Sequence, residues 1–105
     1  MIAPMRGQLF RVDVGFGANP WLVVSNNSRN RNLRTVLAVR VTTTSKHADV
    51  PTVVRLTPSE PIVGFVLCDD MVQLYRDELD APIGALTPTT MAAVSRSLAL
   101  ALGLA

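Results

Sequence analysis

The feature that most constrains this chain is a series of short apolar runs, each too brief for a helix and each bounded by Gly, Pro, Asn or Asp. Gln8-Leu9-Phe10-Arg11-Val12-Asp13-Val14 sets polar residues at 11 and 13 between apolar ones at 10, 12 and 14. That period of two belongs to a half-buried strand. Residues 15–20 are expected to form a loop, because two glycines free the backbone and Pro20 holds Asn19 extended. Residues 21–25 begin Trp-Leu-Val-Val and suit a strand buried on both faces. A polar turn over 26–32 leads to a third strand over 35–42 and a loop over 43–50. Two more strands are expected at 52–56 and 64–68, joined by the turn Thr57-Pro58-Ser59-Glu60-Pro61.

Near the C-terminus the period changes. Thr87-Pro88 has the form of an N-cap followed by proline at the first helical position. Met91, Val94, Leu98, Ala101 and Leu102 then fall on one helical stripe, with Gly103 placed to end it. The expectation is a single domain over residues 1–105, mainly β with one closing C-terminal helix, arranged as a sandwich or small barrel. A hydrophobic content of 49% against 17% charged residues suits a packed core rather than a disordered chain. The apolar stretch at 97–105 is too short to span a bilayer, and the first residues lack the apolar core of a leader, so the cytoplasm is expected. Cys68 is the only cysteine, which excludes an intrachain disulfide and a cysteine metal cluster; it reads as a small buried filler before a reactive thiol.

The net charge of +2 conceals an asymmetry. Residues 1–58 hold eight basic groups and two acidic ones, whereas residues 59–105 hold two basic groups and six acidic ones. Such a division fits an electropositive face for a polyanion, and equally a pair of solvated faces with no ligand. His47 is the only histidine, so a two-histidine ribonuclease site within one chain is excluded; beside Lys46 and Asp49 it reads as a solvent-exposed residue of a polar loop. Asp69 and Asp70 are adjacent, point to opposite faces of an extended strand and make no chelating pair, and no metal or cofactor is expected. Arg40-Val41-Thr42-Thr43-Thr44-Ser45-Lys46 is the most suggestive segment. On a strand Arg40 and Thr42 share a face, and a guanidinium fork beside hydroxyls suits a phosphodiester, although Thr/Ser runs are also ordinary turn residues.

Five ordered segments carry a resemblance. Arg6-Gly7-Gln8-Leu9-Phe10-Arg11-Val12-Asp13, Asn19-Pro20-Trp21-Leu22-Val23-Val24-Ser25-Asn26, Val41-Thr42-Thr43-Thr44-Ser45-Lys46, Gly64-Phe65-Val66-Leu67-Cys68-Asp69-Asp70 and Ile83-Gly84-Ala85-Leu86-Thr87-Pro88 follow one another. Together they resemble the MazF/PemK (Kid-like) endoribonuclease family of type II toxin–antitoxin modules. The resemblance implies an SH3-like small β-barrel of the CcdB/Kid/MazF type, a homodimer, and metal-independent cleavage of single-stranded RNA to 2′,3′-cyclic phosphate and 5′-OH ends. It also implies a cognate MazE-like antitoxin whose extended tail covers the RNA groove. By the same resemblance the catalytic positions fall on Thr42, Asn19 and Asp70, with Asp69 as the shifted alternative. Asn19 is a departure, because the family usually places an arginine before that proline. Arg40 is the expected substitute by strand geometry, ahead of Arg11 and Arg29. Arg11, Ser25, Arg29, Arg31, Thr43 and Lys46 are expected to contact RNA. A gyrase-poison toxin like CcdB is the rival on the same barrel, disfavoured because the chain ends Leu102-Gly103-Leu104-Ala105 without a terminal aromatic. A non-catalytic SH3-like RNA-binding module is the third reading. Trp21 suits a core or dimer interface before a base-stacking role.

Overall fold

The alternating runs pair antiparallel throughout the computed structural model, which describes residues 3–15, 17–44 and 46–105. Phe16 of the expected 15–20 loop and Ser45 of the threonine segment lie outside the described residues. β1 (Gln8–Asp13), β2 (Ala18–Val23), β3 (Thr35–Thr42), β4 (Val53–Arg55), β5 (Phe65–Tyr75) and β6 (Pro82–Ala85) form one sheet in the order β4-β5-β3-β2-β1-β6. The sheet curls into a half-barrel, and α2 (Pro88–Ala101) packs on it. The fold is thus mainly β with one C-terminal helix against the core, and a short polar helix, α1 (Asn27–Asn32), follows β2.

The curl has a local cause in β5. Val39 faces Met71 while its neighbour Arg40 faces Leu67, so Cys68, Asp69 and Asp70 are three extra residues opposite an unbroken β3. An odd insertion bends the strand and swaps which face its even-numbered side chains address. Val66 and Cys68 accordingly pack with Leu9, Leu22, Val39, Val41 and the α2 residues Val94 and Leu98. Beyond the bulge Leu74 packs on the opposite face with Val12, Trp21, Val23, Val36 and Ala38. Leu22 and Val39 are cross-strand partners with no exposed surface. Burying a side chain of that size contributes about 1.5–3 kcal/mol.

Several elements differ from the sequence expectation. β5 continues past the expected end at residue 68, because the two aspartates mark a bulge rather than a strand end. β6 escapes a periodicity search, since proline and glycine interrupt four residues; proline is tolerated there because the strand lies at the sheet edge. β2 begins at Ala18, so Asn19 and Pro20 belong to a strand rather than a loop. Pro20 faces Arg11, whose backbone bonds Ala81 and Asp80 on its other side, so the missing proline N–H leaves no acceptor stranded there. The 26–32 turn contains α1. It has no apolar stripe; the Asn26 side chain starts it by accepting from the Ser28 and Arg29 amides at 2.8 and 3.3 Å.

α2 follows its sequence signals closely. Thr87 caps it and accepts from the Thr90 amide, Pro88 opens it, and Gly103 sits beyond the end at φ 72°. Val94 and Leu98 are buried, but Leu102 is 58% exposed, because the helix ends at Ala101 and the last stripe position turns outward. The N-terminus of α2 is closed by Glu60, only 9% exposed. Its carboxylate accepts from the Thr87 amide at 2.9 Å, the Thr87 hydroxyl at 2.7 Å and the Thr90 hydroxyl. Burial pushes the Glu60 carboxyl up, but the hydrogen bonds from Thr90 and Thr87 outweigh it and hold the group below its ordinary 4.5. A depressed folded-state value contributes stability above the unfolded value and loses it as pH falls through the folded one. Urea titrations from pH 7 to pH 3 should therefore show stability falling below about 4.5. Glu60→Gln should lower stability at pH 7 by about 1–3 kcal/mol and flatten that acid limb. An unchanged acid limb would refute the anchoring role.

Candidate functional site

β3 ends at a cluster of cations and hydroxyls. Arg40 and Thr42 alternate with buried Val39 and Val41, so both leave the core on one face. They line a cleft of about 250 Å³ together with Thr44, Lys46 and His47, over the apolar side chains of Val53 and Leu67. That volume is below the roughly 300–1,000 Å³ of sites that enclose a drug-sized ligand, and suits a charged group gripped from one side. Arg40 Nε lies 3.6 Å from Asp70 Oδ2, a carboxylate brought there by the bulge of β5. Both side chains are near half exposed, at 43% and 50%, so the pair orients the guanidinium and adds about 0–1 kcal/mol of stability.

Two further depressions are lined by Thr43, the residue between Thr42 and Thr44. One, of about 560 Å³, is lined by Arg11, Asn19, Thr43 and Glu60. The other, of about 390 Å³, is lined by Thr43, Arg55, Pro58 and Phe65. Arg40 and Lys46 thus line the cleft of Thr42 and Thr44, whereas Arg11 and Arg55 line the depressions of Thr43, and Arg11 leaves β1 on the sheet face opposite Arg40. The Thr42 hydroxyl accepts from the Thr44 amide at 3.2 Å, which turns the chain at the strand end. Gly64 fixes the backbone beneath it: at φ 137°, a Cβ on Gly64 would stand 2.4 Å from the Thr42 carbonyl oxygen.

The residues singled out from the sequence divide into two groups. Arg40, Thr42 and Lys46 share one cleft, Arg11, Asn19 and Thr43 share another depression, and Asp70 holds Arg40. The Asn19 amide donates to the Gly17 carbonyl at 3.1 Å. Arg29 and Arg31 stand apart, on α1 near Thr35, a β3 length of about 23 Å from Thr42. Arg29 donates to the Thr35 carbonyl at 2.8 Å and hydroxyl at 3.3 Å, and Arg31 is exposed. Ser25 is 5% exposed; its hydroxyl donates to Asn30 Oδ1 and accepts from the Leu37 amide, so it braces the chain between β2 and α1. Asp69 turns away from Asp70 and accepts from the Thr52 hydroxyl at 2.5 Å. Cys68 is 2% exposed, and burial followed by the charge of Asp69 pushes its thiol up to about 11, which suits a filler and not a nucleophile. Among the described residues no group of three His, Cys, Asp or Glu side chains is placed to hold a metal ion.

Sequence reasoning set His47 aside and did not single out Arg55 for the site. The cleft brings His47 together with Val53 of β4 and Leu67 of β5, a proximity that no local pattern announces.

A half-barrel with one closing helix and a cationic, hydroxyl-lined groove at its strand ends defines a small protein built to engage a polyanion. Residues 5–102 match the family of PemK-like, MazF-like toxins of type II toxin–antitoxin systems, and the chain belongs to that family. Endoribonuclease MazF1 of Mycobacterium bovis and Endoribonuclease MazF4 of Mycobacterium tuberculosis are each 50% identical over 104 residues, spanning 99% of this chain and 97% of each relative. A mycobacterial endoribonuclease solved in complex with its cognate antitoxin superposes with a TM-score of 0.93 at 50% identity, covering 98% of both chains. A MazE–MazF structure from Deinococcus radiodurans gives 0.83 at 25% identity, covering both chains fully.

The Gly64 contact yields a test. Gly64→Ala should reduce RNA cleavage by roughly 10- to 100-fold even in the folded fraction, because Thr42 must move. Gly103→Ala, also at positive φ but with nothing within 4 Å of its Cβ, should leave cleavage unchanged. Equal cleavage by both variants, measured beside their denaturation curves, would show that Gly64 does not position the site.

Proposed function

We propose that this chain is the ribonuclease toxin of its module and cuts single-stranded RNA by attack of a 2′-OH on the adjacent phosphodiester. The single observation that carries the reading is the cleft that holds Arg40, Thr42 and Lys46 at the end of β3. In the reaction the 2′ oxygen bonds to phosphorus and the P–O5′ bond breaks. The 2′-OH proton leaves, a proton reaches O5′, and the ends are a 2′,3′-cyclic phosphate and a 5′-OH. Charge grows on the non-bridging oxygens at the transition state, and a preoriented guanidinium is suited to meet it. Arg40 takes this role in place of the arginine usual before Pro20, with Asp70 setting its direction and Thr42 orienting the phosphate. Asn19 adds a neutral hydrogen bond, and Arg11, Thr43 and Lys46 track the backbone.

The family and its antitoxin-bound mycobacterial relative support a cognate antitoxin that covers the groove, a homodimer and a cytoplasmic site of action. No described helix is long and apolar enough to cross a membrane. Asn19 in place of the arginine favours a second reading, a non-catalytic RNA-binding module.

Incubation with a long single-stranded RNA in EDTA separates the two. Discrete cuts ending in 2′,3′-cyclic phosphates are expected; protection without cuts would support the module. Arg40→Ala should lower the cleavage rate by about 10²–10³-fold, the usual cost of one transition-state donor. Full activity of that variant would refute the substitution of Arg40 for the missing arginine.

A further inference from the structure

We infer that His47 is the general base that removes the 2′-OH proton, an assignment that rests on the ribonuclease reading above. Its imidazole lines the same cleft as Arg40 and Thr42. The groove is rich in proton donors and poor in acceptors. Arg40 and Lys46, the cations that line it, carry only N–H groups in their charged forms. A threonine hydroxyl is a poor base unaided. Of the carboxylates nearby, Asp70 pairs with Arg40, Asp69 accepts from Thr52, Glu60 is buried against Thr87 and Thr90, and Asp49, two residues beyond His47, is not part of the cleft lining. His47 is exposed and makes no side-chain hydrogen bond among the described residues, while its carbonyl oxygen accepts from the Val50 amide at 3.0 Å and anchors the turn. Neutral imidazole offers one nitrogen as acceptor, which is what the step lacks.

The proton balance closes within the cleft. The 2′-OH proton passes to the His47 ring nitrogen as the 2′ oxygen bonds to phosphorus, and the electron pair of the breaking P–O5′ bond stays on O5′. O5′ is protonated by a cationic neighbour or by solvent, and the imidazolium then returns its proton to water. The charged groups that line the cleft with His47 are Arg40 and Lys46; Asp70 pairs with Arg40, Asp69 accepts from Thr52, and Asp49 follows two residues on in the chain.

The test is the single-turnover cleavage rate of the full chain on a single-stranded RNA oligonucleotide in EDTA, from pH 5 to pH 9. The unaltered chain should show a rate that rises with pH and then levels. His47→Ala and His47→Gln should lose about 10²–10⁴-fold in rate with little change in KM, and the acid limb should disappear. Imidazole added to the buffer should restore part of the rate to His47→Ala, an outcome that a purely structural role would not give. An acid limb that persists in either variant, or a rate within threefold of the unaltered chain, overturns the assignment while leaving the ribonuclease reading intact. Absence of cuts by the unaltered chain would instead overturn that reading and this assignment with it.

Discussion

The bulge of three residues in β5 is the constraint from which the rest of the molecule follows. A regular pairing of β3 with β5 would keep one set of side chains on one face along the whole strand. By inserting Cys68, Asp69 and Asp70 opposite Val39 and Arg40, the chain bends the sheet and gives each face its own apolar cluster. The same insertion pushes two carboxylates out of the ladder, one towards Arg40 and one towards Thr52. Core closure and orientation of the groove are therefore one structural event, and sequence changes at 68–70 act on both.

Where the physics is local, the fold was legible in the sequence. The period-two runs of β1 and β3 and the cap, proline and glycine of α2 each depend on neighbours a few residues away, and each lies where its pattern indicates. α1 and β6 were not legible, because an asparagine cap and an edge pairing stabilise segments without an apolar period. Asp69-Asp70 looked like a strand end because polarity at that point cannot be told from a bulge without the partner strand.

The groove shows the same division. Arg40 and Thr42 lie two residues apart on one strand, so their shared face follows from alternation alone. Arg11, Asn19 and Thr43 come together through the pairing of β1 with β2 and the end of β3, which the ordered likeness to a family supplied and residue spacing did not. Ser25 shows the limit of carrying positions over by motif: its place in the chain fits, but its hydroxyl is spent inside the fold. His47 shows the converse, a residue whose neighbours Val53 and Leu67 come from later strands.

Glu60 has a consequence beyond holding α2. It lines the depression beside Arg11 and Asn19, where an acid would ordinarily repel a polyanion. Its charge instead faces the N-terminus of a helix, which carries a partial positive charge, and is spread over three hydrogen bonds. The groove thus keeps an acid in its wall while its far field remains that of its cations. On the proposed reading, a strand of RNA approaching from solution meets cations such as Arg40 and Lys46 first. Its capture should then be fast in dilute salt and slow steeply as counterions accumulate.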